Sequence, residues 1–157
     1  MTDDAAIKLR DAAVQTFEEL AFIFATGEDT LPEDPGPTRT VTVVFSGIWE
    51  GAIRLQTPSD MLAVVAAGML GLDESVPVSA EQQDDALKEL LNVICGNLLP
   101  VLAGREPVFR VGTPYIQTPD APEQWDADKP AVAEVVVGLD EGWARLWYFE
   151  ERPPATT

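Results

Sequence analysis

Along the 157 residues the apolar positions change period several times, and one long helical stretch sets the frame. Between Ser79 and Ala103, residues Leu87, Leu90, Leu91, Ile94, Cys95, Leu98 and Leu102 recur at the spacing of a single buried helical stripe. Ser79 followed three residues later by Gln82 has the pattern of a capping box, and Asp84 and Asp85 suit the N-terminal half of a helix. At about 100° per residue, Asp85, Glu89, Asn92 and Gly96 line up opposite the stripe. One face therefore packs, while the other presents carboxylates, a carboxamide and a bare glycine. Pro100 has no N–H for the carbonyl of Gly96, which predicts a bend or loosening in the last turn.

The remaining pattern alternates between helix and strand. Asp3 to Ala25 reads as a helix whose apolar face collects Ile7, Leu9, Ala13, Val14, Phe17, Leu20, Phe22 and Phe24. Gly27 to Thr38, rich in proline, glycine and acidic residues, reads as a solvated loop. Val41 to Ser46 and Ile48 to Thr57 are strands of a hairpin turning near Gly47 or Gly51. Pro58 to Leu70 predicts a second helix, with Gly68 packing and Gly71 stopping it. Beyond the long helix, Val108 to Val111 and Tyr115 to Thr118 are extended, and Pro119 to Pro130 is another acidic loop. Ala131 to Gly138 and Trp143 to Glu150 form a second hairpin. A domain over residues 1–150 and a loose tail over 151–157 are expected.

The two halves resemble each other. Gly47-Ile-Trp-Glu-Gly-Ala-Ile-Arg-Leu55 aligns without gaps on Gly138-Leu-Asp-Glu-Gly-Trp-Ala-Arg-Leu146, matching glycine, glutamate, glycine, arginine and leucine. Phe17 to Phe24 likewise aligns on Leu87 to Ile94. Each half is then a helix followed by a hairpin, an internal duplication within one α+β domain whose antiparallel sheet packs against the motif helix. The halves are unequal: Glu89 has a counterpart in Glu19, but Asn92 corresponds to Phe22.

Charge narrows the function. With 10 basic against 27 acidic residues, a net charge of -17 disfavours nucleic acid as a partner. No histidine is present, which removes the commonest general base and metal ligand. The first residues lack the layout of a signal peptide and no apolar run reaches a membrane span, so no membrane association and a cytoplasmic location are expected. The single cysteine fits that compartment.

The run Glu89-Leu-Leu-Asn92-Val-Ile-Cys-Gly96-Asn97 resembles the signature of the CheC/CheX/FliY family of chemotaxis phosphatases. The helix-plus-hairpin halves and the Gly112-Thr-Pro114 segment extend the resemblance over most of the chain, and a single intact motif is similar to the CheX-like branch. The resemblance implies hydrolysis of the acyl phosphate on a CheY-like response regulator. Asn92 would orient the attacking water, Glu89 would pair with a lysine of the receiver, and Gly96 would let the partner's backbone come close, with Asp85 on the same docking face. It implies no cofactor of this chain's own, because the receiver would carry the Mg²⁺, and it implies a homodimer, for which a hydrophobic edge near Val132 to Val137 or Trp143 to Phe149 could serve.

Other readings carry less. Cys95 lies on the apolar stripe, and the position where a cysteine phosphatase places its phosphate-cradling arginine is Val101. The acidic loops lack the ligand alternation of a calcium-binding loop. Trp49, Trp143 and Trp147 are expected in core or interface. The alternative function is a non-catalytic module that docks a receiver or a flagellar motor-switch component.

Overall fold

Two hairpins built by period-two alternation join side by side into one sheet. The computed structural model describes residues 2–73, 75–120, 124–125 and 128–153. Its elements are α1 (Thr2–Thr16), β1 (Thr38–Ser46), β2 (Glu50–Pro58), α2 (Leu62–Leu70), α3 (Ala80–Ala103), β3 (Arg110–Val111), β4 (Tyr115–Ile116), β5 (Ala133–Leu139) and β6 (Gly142–Glu151). The antiparallel order is β3-β1-β2-β6-β5, with β4 also pairing β1. Leu55 stands directly opposite Leu146, its own counterpart in the sequence repeat. A pseudo-two-fold axis thus passes through the β2–β6 seam. The helices obey it too: α1 packs on β5 and α3 on β1, so each helix lies beneath the outer strand of the other half's hairpin.

The sheet has two unequal faces. Val41, Val43 and Phe45 of β1, Ile53 and Leu55 of β2, Val137 of β5 and Leu146 and Tyr148 of β6 point into the main core with the helices. Burying a side chain of this size contributes about 1.5–3 kcal/mol, so this layer carries most of the stability. Ala52 and Phe149 point the other way, into a small second cluster with Trp125. That tryptophan corrects one expectation: the segment Pro119 to Pro130 is not simply a solvated loop, because Trp125 anchors it on the outer face of the sheet, with Lys129 over its ring.

α3 follows the expected pattern closely. Ser79 Oγ accepts from the Gln82 N–H at 3.1 Å and Gln82 Oε1 accepts from the Ser79 N–H at 2.9 Å, completing the capping box. Leu87, Leu90, Leu91, Ile94, Cys95 and Leu98 are buried, while Leu102, expected in the stripe, is only half-buried. The helix runs on through Pro100 to Ala103. By length and composition α3 is apolar enough to cross a membrane, contrary to the expectation that no such run exists. Its apolar side is packed on the sheet, as in the core helix of a folded domain.

The first helix departs further from its pattern. Instead of reaching Ala25, α1 widens into a π-helical turn over Phe17–Ala21 and ends at Phe22, whose φ of 58° is left-handed. Ile7, Phe22 and Phe24 are exposed, not members of the apolar face. Tertiary pairing wins here over helical period. The backbone of Phe24 exchanges hydrogen bonds with Asp140, and Ala25 bridges Leu139, so the chain must already be extended at this point. α2 packs against this turn so closely that a Cβ at Gly68 would lie 2.2 Å from the Ala21 carbonyl oxygen.

The edges of the sheet also differ from expectation. β6 is paired on both sides, so Trp143 to Phe149 is no edge at all; only the Val132 to Val137 alternative lies on an edge strand, β5. Near its end that edge is plugged. Asp29 accepts from the Gly138 N–H at 2.9 Å and is paired with Arg10 at 2.9 Å, while Thr26 N–H donates to the Gly138 carbonyl. The expected C-terminal tail lies beyond the described residues except for Glu151, Arg152 and Pro153, the first of which closes β6.

Two outcomes follow from this packing. Gly68→Ala should destabilise the fold by about 2–3 kcal/mol, read as a drop in the urea midpoint at unchanged slope, since backbone oxygen cannot yield to the new methyl. The Gly138 amide, together with Arg10, holds the Asp29 carboxyl below its ordinary value. A lowered folded-state pKa stabilises above the unfolded value of 3.8 and is lost as pH falls through the folded one. Asp29→Ala should therefore cost about 1–2 kcal/mol at neutral pH and progressively less below pH 4, measured by urea unfolding at each pH.

Candidate functional site

The polar side of α3 is where the sequence places it. Asp85, Glu89, Asn92 and Gly96 lie on the side of the helix opposite Leu87, Leu90, Ile94 and Leu98, and all four are open to solvent. Among the described residues neither Glu89 nor Asn92 is hydrogen-bonded or ion-paired, so both side chains are free to serve an incoming group. The face is held from both flanks. Asp84, at the N-terminal end, is paired with Arg39 of β1 at 2.7 Å. Asn97 Nδ2 donates to Thr16 Oγ1 at 3.3 Å, and the Thr16 hydroxyl donates to the Ala12 carbonyl at 2.7 Å. The second asparagine of the motif thus ties α3 to α1 at the point where α1 widens, a positioning contact that periodicity alone does not reveal.

Gly96 differs from the other packed glycines. A Cβ built there meets nothing within 4 Å, so no neighbour within the chain demands glycine. Glycine inside a helix costs about 1 kcal/mol relative to alanine, so the fold gives up stability for an absent side chain at this spot. Pro100 offers no amide hydrogen to the Gly96 carbonyl, and nothing on residue 96 shields that oxygen. The C-terminal half of α3 and the chain that follows it then enclose a groove of about 640 Å³, lined by Gly96, Pro100, Val101, Arg105, Phe109 and Val111 among others.

Other candidate chemistry recedes. Cys95 is fully buried, and burial pushes its thiol up to about 12, so it is a core group and no nucleophile. Trp49 is buried and donates its indole N–H to the Tyr148 hydroxyl at 3.0 Å; Trp143 is buried as well. Trp147 is half-buried on the outer face beneath the Arg145 guanidinium, 4.6 Å from its ring centre. Among the described residues no cluster of acidic side chains or cysteine is arranged to hold a metal ion. The face of α3 can accept and donate hydrogen bonds and can pair with a cation. It holds no strong base and no nucleophile of its own.

Gly96→Ala separates folding from use of this face. Thermal unfolding should show the variant more stable than wild type by about 0.5–1 kcal/mol, since the helix gains propensity and no contact is strained. A destabilised variant would mean the glycine has a packing role.

No curated protein matches the sequence at a significant level. Among solved structures, chemotaxis protein CheX from Vibrio vulnificus superposes with a TM-score of 0.71 at 14% identity, covering 96% of this chain and 99% of that one. CheX from Desulfovibrio desulfuricans gives 0.68 at 18%, covering 94% and 99%. The CheX–CheY–BeF3–Mg²⁺ complex from Borrelia burgdorferi gives 0.65 at 19%, covering 93% and 96%. At these identities the structures establish a shared fold. The family model for the chemotaxis phosphatase CheX matches residues 39–130, which is more than half of the chain and includes all of α3. The chain therefore belongs to the CheX family of chemotaxis phosphatases.

Proposed function

We propose that this chain hydrolyses the phospho-aspartate of a CheY-like receiver by presenting Glu89 and Asn92 from α3. The observation that carries the reading is the free, exposed Glu89–Asn92 pair on a helix whose other face is locked into the core. An acyl phosphate is already activated, so its hydrolysis needs a positioned water and charge stabilisation more than a base. The Asn92 carboxamide has an acceptor and two donors with which to fix that water in line. Glu89, one turn earlier on the same face, pairs with the receiver's lysine and sets the register of docking. Gly96 admits the partner's backbone, and Asp85 extends the docking face toward the N-terminus. The Mg²⁺ that neutralises the phosphoryl oxygens is the receiver's, and it brings that charge with it on binding. That the Borrelia burgdorferi CheX was solved in complex with CheY supports the choice of partner.

We assign the chain to the cytoplasm, where receiver proteins work, and we propose a homodimer formed along the β5 edge. There the backbone of Glu134 and Val136 lies on the outer side of the ladder, away from β6 and short of the Asp29 plug. Sedimentation at micromolar concentration should give twice the monomer mass of 17.0 kDa. A monomer removes the dimer without touching the chemistry.

The catalytic reading is tested by phosphate release from a phosphorylated receiver with Mg²⁺. Asn92→Ala should lower kcat by about 100-fold. Glu89→Ala should raise KM and lower kcat, since it removes the partner of the receiver's lysine. Acceleration that survives Asn92→Ala would exclude water positioning by this residue. Binding without any acceleration by wild type would make the chain a docking module.

A further inference from the structure

The distribution of basic side chains in so acidic a chain points to a second contact with the partner. Six of the ten are in ion pairs: Lys8–Asp4, Arg10–Asp29, Arg39–Asp84, Lys129–Glu151, Arg145–Glu134 and Arg152–Glu150. Four have no acidic partner among the described residues. Arg54 lies on the outer sheet face over the Phe149 ring, Arg110 is exposed and lines a recess with Trp125 on that same face, and Lys88 is half-buried on the flank of α3. Arg105 alone is exposed beside the groove that begins at Gly96. Two exposed guanidinium groups, those of Arg105 and Arg110, thus lack an acidic partner among the described residues despite 27 carboxylates on the chain, and of the two Arg105 stands next to the proposed docking face.

The groove around it is lined mainly by apolar side chains. Val101 is 54% exposed and Val111 38%, within an eleven-residue span, and Phe109 and Pro107 line the wall between them. Exposed apolar side chains concentrated beside a cation form a surface that gains from being covered. The groove is also continuous with the catalytic face, because Gly96 belongs to both.

We infer that this groove takes an apolar segment of the same receiver, bearing a carboxylate that pairs with Arg105, and so selects which receiver is dephosphorylated. The inference rests on the phosphatase reading and adds to it a division of labour. Glu89 and Asn92 meet groups common to receivers: the phosphoryl site, its metal and its lysine. They carry no information about which receiver has docked. The groove meets a surface that can differ from one receiver to the next, and its hydrophobic wall excludes water from the Arg105 pair, where a charge contact is worth more than at an open rim. The net charge of the chain opposes an acidic receiver at long range, so a local cation is also what orients the approach.

The test uses the full chain and a receiver activated with beryllium fluoride and Mg²⁺, with affinity measured by titration, and phosphate release from the phosphorylated form. Arg105→Glu and Val101→Glu should each raise the dissociation constant by about tenfold while leaving kcat within about twofold. Arg105→Gln should weaken binding less and flatten its dependence on salt. Asn92→Ala should do the converse, lowering kcat with affinity held. Both substituted side chains are exposed, so an unchanged melting temperature serves as the folding control. Unchanged affinity in Arg105→Glu and Val101→Glu, with kcat still lost in Asn92→Ala, overturns the groove and leaves the phosphatase standing. A wild-type chain that binds no receiver overturns both.

Discussion

The contact on which the rest of the molecule depends is the β2–β6 seam, where Leu55 and Leu146 face each other. Neither hairpin could stand alone in water, since two strands with one apolar face bury too little. Joined through their second strands they make a continuous apolar floor. That floor is wide enough for α1 and α3 to lie on it, each under the other half's outer strand. The crossing makes the halves interdependent: removing either hairpin would strip the floor from the opposite helix. Stability and symmetry are here the same fact.

On this floor α3 is a two-sided element. Its buried side is continuous and large-residue, and its exposed side carries a motif that the fold itself does not use. The contrast between two glycines states the matter physically. Gly68 is required by a carbonyl oxygen that leaves no room for a methyl. Gly96 faces open space, and the helix would be better off without it. A residue that costs stability and satisfies no neighbour is best understood through something that approaches from outside. The ties at Arg39–Asp84 and Asn97–Thr16 make the face a fixed platform, so a docking partner meets a surface that needs no reordering.

Much of this architecture is legible in the amino-acid sequence itself. The stripe of α3, its capping box, the four-residue polar face and the doubled helix-plus-hairpin pattern are all written in local spacing, where each residue's neighbours along the chain are also its neighbours in space. Legibility fails where distant contacts decide. The end of α1 is set by Asp140 and Leu139, more than a hundred residues away, and helical period cannot see them. The order of strands likewise hides that β6 is central and β5 peripheral, which removes one of two expected edges. Trp125 offers a signal that composition dilutes: a lone indole in an acidic, proline-bearing stretch is seldom left in water. The groove at Arg105 has no signal at all, because its walls come together only once the chain turns back from α3 to the sheet.

The plug at the end of β5 has a consequence beyond folding. Asp29 occupies an edge amide that would otherwise be a template for another strand, and it does so through its negative charge. Further association of the chain is opposed by the same kind of charge, which vanishes near its isoelectric point of about 4.1. Acidification therefore withdraws two safeguards in succession, first the general repulsion between molecules near the isoelectric point and only then, below 3.8, the local seal on the sheet. Molecules that meet near the isoelectric point therefore still carry a sealed edge, and strand pairing at the end of β5 awaits stronger acid.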